Sequence, residues 1–225
     1  MSELAPVAFV LVFVAIVGLA AWMLVRTARR NRAARDPAAG RDLARVAAAR
    51  GWRYTPVDEE FPRRYDGYPF SRGGPALDLV TGSHRGREFA CFQYSPPRAL
   101  APGESSAEID YLRVFAVELP APVPSALVTP AGAAPRWTRR YTTGDEEFDR
   151  AFAVGTEDEP FAGRVLTQPV RQRLLADPPA GPLRFGDRSL LTWRPDRGGF
   201  DPHEVVPALD RLCDLVEQLP PDALR

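Results

Sequence analysis

The chain has no lysine; all 29 of its basic residues are arginine. That choice follows GC-rich coding and assigns no function on its own. Histidine and cysteine are nearly as scarce, at two each: His84, His203, Cys91 and Cys213. A zinc site built from protein alone would need both histidines plus distant cysteines or carboxylates. His84 falls in a predicted turn and His203 at a predicted helix start, and both are expected at the surface. Also missing are the spacings Gly-x-x-x-x-Gly-Lys, Gly-x-Gly-x-x-Gly, His-Glu-x-x-His, Cys-x-x-Cys and Gly-x-Ser-x-Gly. These mark phosphate, dinucleotide, zinc-protease, redox and serine-hydrolase chemistry. There is no internal repeat and no low-complexity tract.

What the sequence does have is one long apolar run. Leu4 to Val25 contains no charged residue over 22 positions. As a helix it would measure roughly 33 Å, enough to cross a hydrocarbon core of about 30 Å. A cleaved signal peptide would carry a basic leader, a shorter apolar core and a small-residue cleavage site. Here Glu3 precedes the run and the run is too long, although Gly18-Leu19-Ala20 imitates a cleavage site. The reading is a single-pass membrane anchor. Gly18 is its only glycine, so a Gly-x-x-x-Gly helix-pairing face is missing.

Behind the run come Arg26, Arg29, Arg30, Arg32 and Arg35 with no acid among them. Positive charge beside a span is retained on the cytoplasmic side, which places the N-terminus outside and the domain at the inner face of the plasma membrane. The same five arginines are the expected membrane-surface contacts, each worth about 1 kcal/mol against anionic lipid head groups. Setting them and Glu3 aside leaves 24 arginines against 28 acids. That mildly acidic balance is the opposite of a nucleic-acid binder. In a reducing compartment, Cys91 and Cys213 are expected as two buried free thiols.

The chain divides into 1–35, an anchor with its basic collar; 36–76, a linker, short helix and aromatic-rich segment; and 77–225, a core domain. Arg41 to Arg50 puts Leu43, Val46 and Ala47 on one helical face, with Gly51 just past its end. Trp52 to Tyr54 suggests a brief strand. The mixture after it (Phe61, Tyr65, Tyr68, Phe70) has no period and would be ordered only by packing its rings onto something else. Leu77 to Gly82 and Arg87 to Tyr94 read as a hairpin across Ser83-His84-Arg85-Gly86. Ser95 to Glu108 reads as a surface loop.

Ile109 to Leu119 is the strongest strand, with Tyr111, Phe115 and Val117 on one face and Leu112, Val114 and Ala116 on the other. It is expected near the middle of a sheet covered on both sides, ended by Pro120, Pro122 and Pro124. Ala126 to Thr129, Trp137 to Thr142 and Phe152 to Val154 are further expected strands. Phe161 to Ala176 is amphipathic but interrupted by Pro169, predicting a kink or two short helices with Thr167 capping the second. Leu183 to Phe185 and Leu190 to Trp193 read as another hairpin across Gly186-Asp187. Asp201-Pro202-His203-Glu204 opens a last helix with Val205, Leu209, Leu212, Val216 and Leu219 as its buried stripe. The expected class is α+β: a transmembrane helix, then an antiparallel or mixed sheet packed by helices.

The stretches GWRYTP, GSHRGREFACFQY, DYLRVFAVELPAPVP and EEFDRAFAV followed by FAGRVLTQPVRQRLL resemble a family of uncharacterised membrane-anchored proteins from high-GC Gram-positive bacteria. The resemblance covers most of residues 41 to 220 and implies the anchored architecture. That family has no assigned activity, so it implies no cofactor and no catalytic residue.

Two functions remain open. The favoured one is a non-catalytic cytoplasmic module that binds a protein partner or a lipid head group. The other is a membrane-tethered enzyme using carboxylates, for which Asp145, Glu146, Glu147 and Asp149 are the only support; a solvated turn accounts for them as well. Asp149, between Phe148 and Phe152, is expected to be held by Arg139 or Arg140. Trp52, Tyr54, Phe61, Tyr65, Tyr68 and Phe70 either line a groove or pack as a satellite of the core.

Overall fold

The computed structural model describes residues 37–96, 111–132, 139–196 and 200–224. The apolar run Leu4 to Val25 and the arginine collar lie outside the described residues. Among the described residues, no helix is long and apolar enough to cross a membrane.

Helix α1 (Pro37–Ala49) buries Leu43 and Ala47 and ends at Gly51, whose φ of 70° few side-chain-bearing residues adopt. Strand β1 (Arg53–Asp58) follows and pairs antiparallel with β2 (Ala76–His84). It is an edge strand, which is how it tolerates Pro56. A two-residue turn, Arg85-Gly86, joins β2 to β3 (Arg87–Tyr94). Both residues have positive φ, 51° and 75°, the twist that suits a tight hairpin.

The centre of the sheet is β4 (Tyr111–Pro130), 20 residues long. It pairs with β7 (Leu183–Asp196) along nearly its whole length, while β3 and then β6 (Phe152–Thr156) take successive halves of it. β5 (Arg140–Tyr141) pairs with β6. Every pairing is antiparallel, so the sheet is antiparallel and not mixed.

Two sequence expectations are corrected here. Pro120, Pro122 and Pro124 do not end the central strand. The register shifts between Glu118 and Val123 and again before Ala126, and the prolines occupy that irregular stretch, where no regular ladder donor is required. Likewise Leu183–Trp193 is not a hairpin. Gly186 and Asp187 (φ 55°) form an irregularity inside one continuous strand facing those prolines. The two irregular stretches face each other, so the β4–β7 pair bends and curls. As a result Gly181, two residues before β7, lies against Trp193 near its end: a Cβ on Gly181 would stand 2.0 Å from the Trp193 carbonyl oxygen.

The helices cover one face. They are α1, α2 (Glu146–Ala151), α3 (Glu159–Val165), α4 (Gln168–Ala176) and α5 (Val205–Glu217). The interruption at Pro169 does give two helices, α3 and α4. Thr167 stands at the start of α4 but makes no side-chain cap. In α5 the whole predicted stripe is buried. Beneath the helices lies the larger core, with Phe148, Phe161, Phe185 and Phe200 each 1 % exposed or less. Each such side chain contributes about 1.5–3 kcal/mol by leaving water.

The opposite face carries a smaller core of Tyr65, Phe70, Phe92, Tyr94, Val114 and Trp193. The 61–74 segment supplies its lid: Tyr65 stacks on Phe92 at 6.1 Å, and Phe70 meets Tyr94 at 4.8 Å. The strand centred on Phe115 is thus covered on both sides, with Phe115 and Val117 in one core and Val114 and Ala116 in the other.

Candidate functional site

The curl of β7 leaves a cavity of about 320 Å³ between that strand, α5 and the α4–β7 loop. Its interior is apolar: Phe115, Leu174, Leu183, Leu212 and Leu215 line it. Leu212 and Leu215 reach it because α5 turns one apolar stripe inward, and Phe115 because β4 alternates. Trp193 contributes from an edge, since it belongs to the core on the other face.

Four arginines reach this cavity, and each is matched by a carboxylate. Arg211 Nε meets Asp177 Oδ2 at 3.4 Å, and Arg173 Nη2 meets Asp214 Oδ2 at 3.1 Å. Arg194 Nη2 meets Glu204 Oε2 at 2.6 Å, and Arg113, deeper in, donates to Glu204 and Asp196. The first three pairs are partly exposed and form the mouth. His203 lines the same mouth and is exposed, as the sequence suggested.

The carboxylates singled out from the sequence do not converge on a pocket. Asp145 caps α2, accepting from Phe148 N at 3.2 Å, and it accepts from Arg171 Nε at 3.0 Å. The hydrogen bond from Arg171, then that from the Phe148 amide, holds its carboxyl below the ordinary value. Glu146 and Glu147 are exposed on the first turn of α2. Asp149 is not held by Arg139 or Arg140. It accepts from Thr143 N and Oγ1 at 3.1 and 2.9 Å and from Gly144 N at 3.1 Å. Arg139 instead pairs with Glu159 at 3.2 Å. A carboxylate one turn into a helix satisfies the preceding loop more cheaply than a distant guanidinium could.

The aromatic segment supplies core, and Phe61 and Tyr65 also line a second, more polar cavity of about 580 Å³ with Glu88, Glu118 and Arg188. Trp52 and Tyr54 pack against the larger core and Phe61 against the smaller. Tyr68, 43 % exposed, meets Trp193 edge to face at 5.7 Å. Cys91 and Cys213 are buried free thiols, and burial pushes both above the ordinary thiol range.

His84 is not the solvated turn residue expected from the sequence. Its side chain is 15 % exposed and bonded through Nε2 to Asp210 Oδ1 at 2.7 Å. Arg85 beside it reaches Asp214 and Glu217, each at 2.7 Å. The tip of the β2–β3 hairpin therefore clasps α5, with Asp214 shared between Arg85 and Arg173. Asp210, Asp214 and Glu217 recur at helical spacing, which marks a polar face in the sequence but does not say what lies on it. The five collar arginines lie outside the described residues.

No protein-family model matches the chain, and no curated protein matches it. Among solved structures it is similar to the mycobacterial trehalose monomycolate transport factor A, with a TM-score of 0.56 and 16 % identity, covering 81 % of this chain and 92 % of that one. The likeness is one of fold. It relates the curled sheet and its helices to a protein of a high-GC actinobacterium.

Proposed function

We propose that the chain is a non-catalytic binding module tethered to the inner face of the plasma membrane, and that the cavity between α5 and β7 seats the apolar part of a membrane amphiphile. The observation that carries this is the cavity itself: an apolar interior of about 320 Å³, within the size range of ligand sites, opening through a charged mouth. Its lining offers arginines and carboxylates engaged with one another, not a nucleophile beside a base. The tether rests on the Leu4 to Val25 run and its five arginines, which place the domain beside anionic lipid. The fold is shared with a protein named for the transport of trehalose monomycolate, which supports handling of such a molecule over its transformation. An unidentified protein partner at the membrane belongs to the same proposal.

Two measurements test it. A reporter active only in the cytoplasm, and another active only outside, are fused after Arg225; cytoplasmic activity is expected, and external activity would overturn the orientation. Lipids extracted from the purified full-length chain are compared by mass spectrometry with those from Leu212→Trp, which fills the cavity. Depletion of one amphiphile in the variant is expected, and identical profiles would count against the cavity as the site.

A further inference from the structure

Resting on the reading that the α5–β7 cavity holds an amphiphile, we infer that its ligand has a single apolar chain and an uncharged, hydroxyl-rich head group recognised by the ion pairs at the mouth. The cavity is close to the lower end of the roughly 300–1,000 Å³ range of ligand sites, which suits one chain better than two. The head-group assignment follows from charge balance. Arg113, Arg173, Arg194 and Arg211 face Asp196, Asp214, Glu204 and Asp177, and Arg85, which shares Asp214 with Arg173, also holds Glu217, so five guanidiniums meet five carboxylates. A phosphate or carboxylate head accepts hydrogen bonds and carries charge, so it needs cations not already neutralised. Here it would have to displace a carboxylate and leave that group near its own charge. A hydroxyl both donates and accepts. Beside a paired guanidinium and carboxylate it can do both without separating them.

The mouth is suited to this because its pairs are only partly withdrawn from water. The Arg211 and Asp177 side chains are 57 % and 44 % exposed, and those of Arg173 and Asp214 are 38 % and 36 %. The Arg211–Asp177 pair and the Arg173 guanidinium line the cavity within reach of a head group, both Asp214 oxygens being taken by Arg173 and Arg85, while Leu174, Leu212 and Leu215 below them offer only apolar surface.

The test uses the full-length chain in phosphatidylcholine nanodiscs and two photoreactive probes with the same dodecyl chain and diazirine, one bearing a maltose head and the other a phosphate. Cross-linked peptides are mapped, and affinities are read by competition with the unlabelled compounds. The expected result is labelling of peptides spanning residues 177–183 and 205–215, with the maltoside about tenfold tighter, the effect of one charged group left without its partner. Asp177→Asn, at an exposed position, leaves Arg211 uncompensated. It should weaken the maltoside and strengthen the phosphate, a crossing that a purely structural loss would not produce. A phosphate probe that binds as well as the maltoside, or a variant that moves both probes alike, overturns the head-group assignment while the cavity reading stands. Labelling by neither probe within the cavity overturns both.

Discussion

Arg113 and Asp196 meet inside the protein, Nη2 to Oδ1 at 2.7 Å, with 6 % and 3 % of their side chains exposed. Gln93 donates to the second Asp196 oxygen at 2.6 Å, and the Arg113 guanidinium lies over the Phe200 ring at 5.0 Å. The sheet register forces the meeting, since Arg113 sits between Gln93 on β3 and Arg194 on β7. A paired charge at such a site is close to neutral for stability, whereas a single one left behind is costly. Arg113→Ala should therefore lower unfolding stability by about 3–5 kcal/mol. Urea denaturation of the parent and variant checks this. A loss below about 1 kcal/mol would place the pair with solvated surface pairs.

The close approach of Gly181 to Trp193 makes a second prediction. A methyl group at position 181 would stand 2.0 Å from the Trp193 oxygen and 3.1 Å from its carbonyl carbon, so backbone must move. Gly181→Ala should cost about 1–3 kcal/mol, the range for forced overpacking. Because Gly181 also lines the cavity, the same change should weaken probe binding there. Thermal melting beside a binding titration separates the two effects. A variant as stable as the parent would mean that the strand does not curl this far.

The thiols give a third. Cys91 and Cys213 are buried, and desolvation raises both thiols, so neither supplies the reactive thiolate at neutral pH. Ellman's reagent should leave the folded chain unmodified and react with both positions once urea unfolds it. Prompt reaction of the native protein would show that α5 opens at Cys213 without global unfolding.

The parts of the fold governed by local rules were legible from residues alone. The hairpin across Ser83 to Gly86, the helix break at Pro169 and the buried stripe of α5 each follow from local residue order, though the structure tightens that turn to Arg85-Gly86 alone. The long β4–β7 pair was not, because its continuity is a property of two strands at once. Pro120 to Pro124 reads as a stop until Gly186-Asp187 is found opposite, supplying the matching irregularity. The cavity was hidden for a related reason. Its walls come from positions as distant as Phe115, Leu174 and Leu215, and its mouth pairs arginines and acids that in sequence are ordinary surface charges. His84 illustrates the limit: a turn predicts exposure, and only the packing of the hairpin tip on α5 leaves it partly buried.

Asp145 provides a test by pH. Its carboxyl is held below the ordinary value of 3.8, first by the hydrogen bond from Arg171 and then by the Phe148 amide. A group whose folded value is depressed stabilises the fold above its unfolded value and loses that contribution as pH falls through the folded one. Arg171→Gln removes the larger cause. The variant should melt below the parent at about pH 7, and the gap should close as the pH falls below the ordinary carboxyl value and the Asp145 carboxyl protonates in the parent as well. Arg171 also donates through Nη1 to the Leu166 carbonyl at 2.6 Å. That bond does not titrate with Asp145. A gap of constant size from neutral to acid pH would assign the role of Arg171 to the Leu166 carbonyl and leave Asp145 as a helix cap alone.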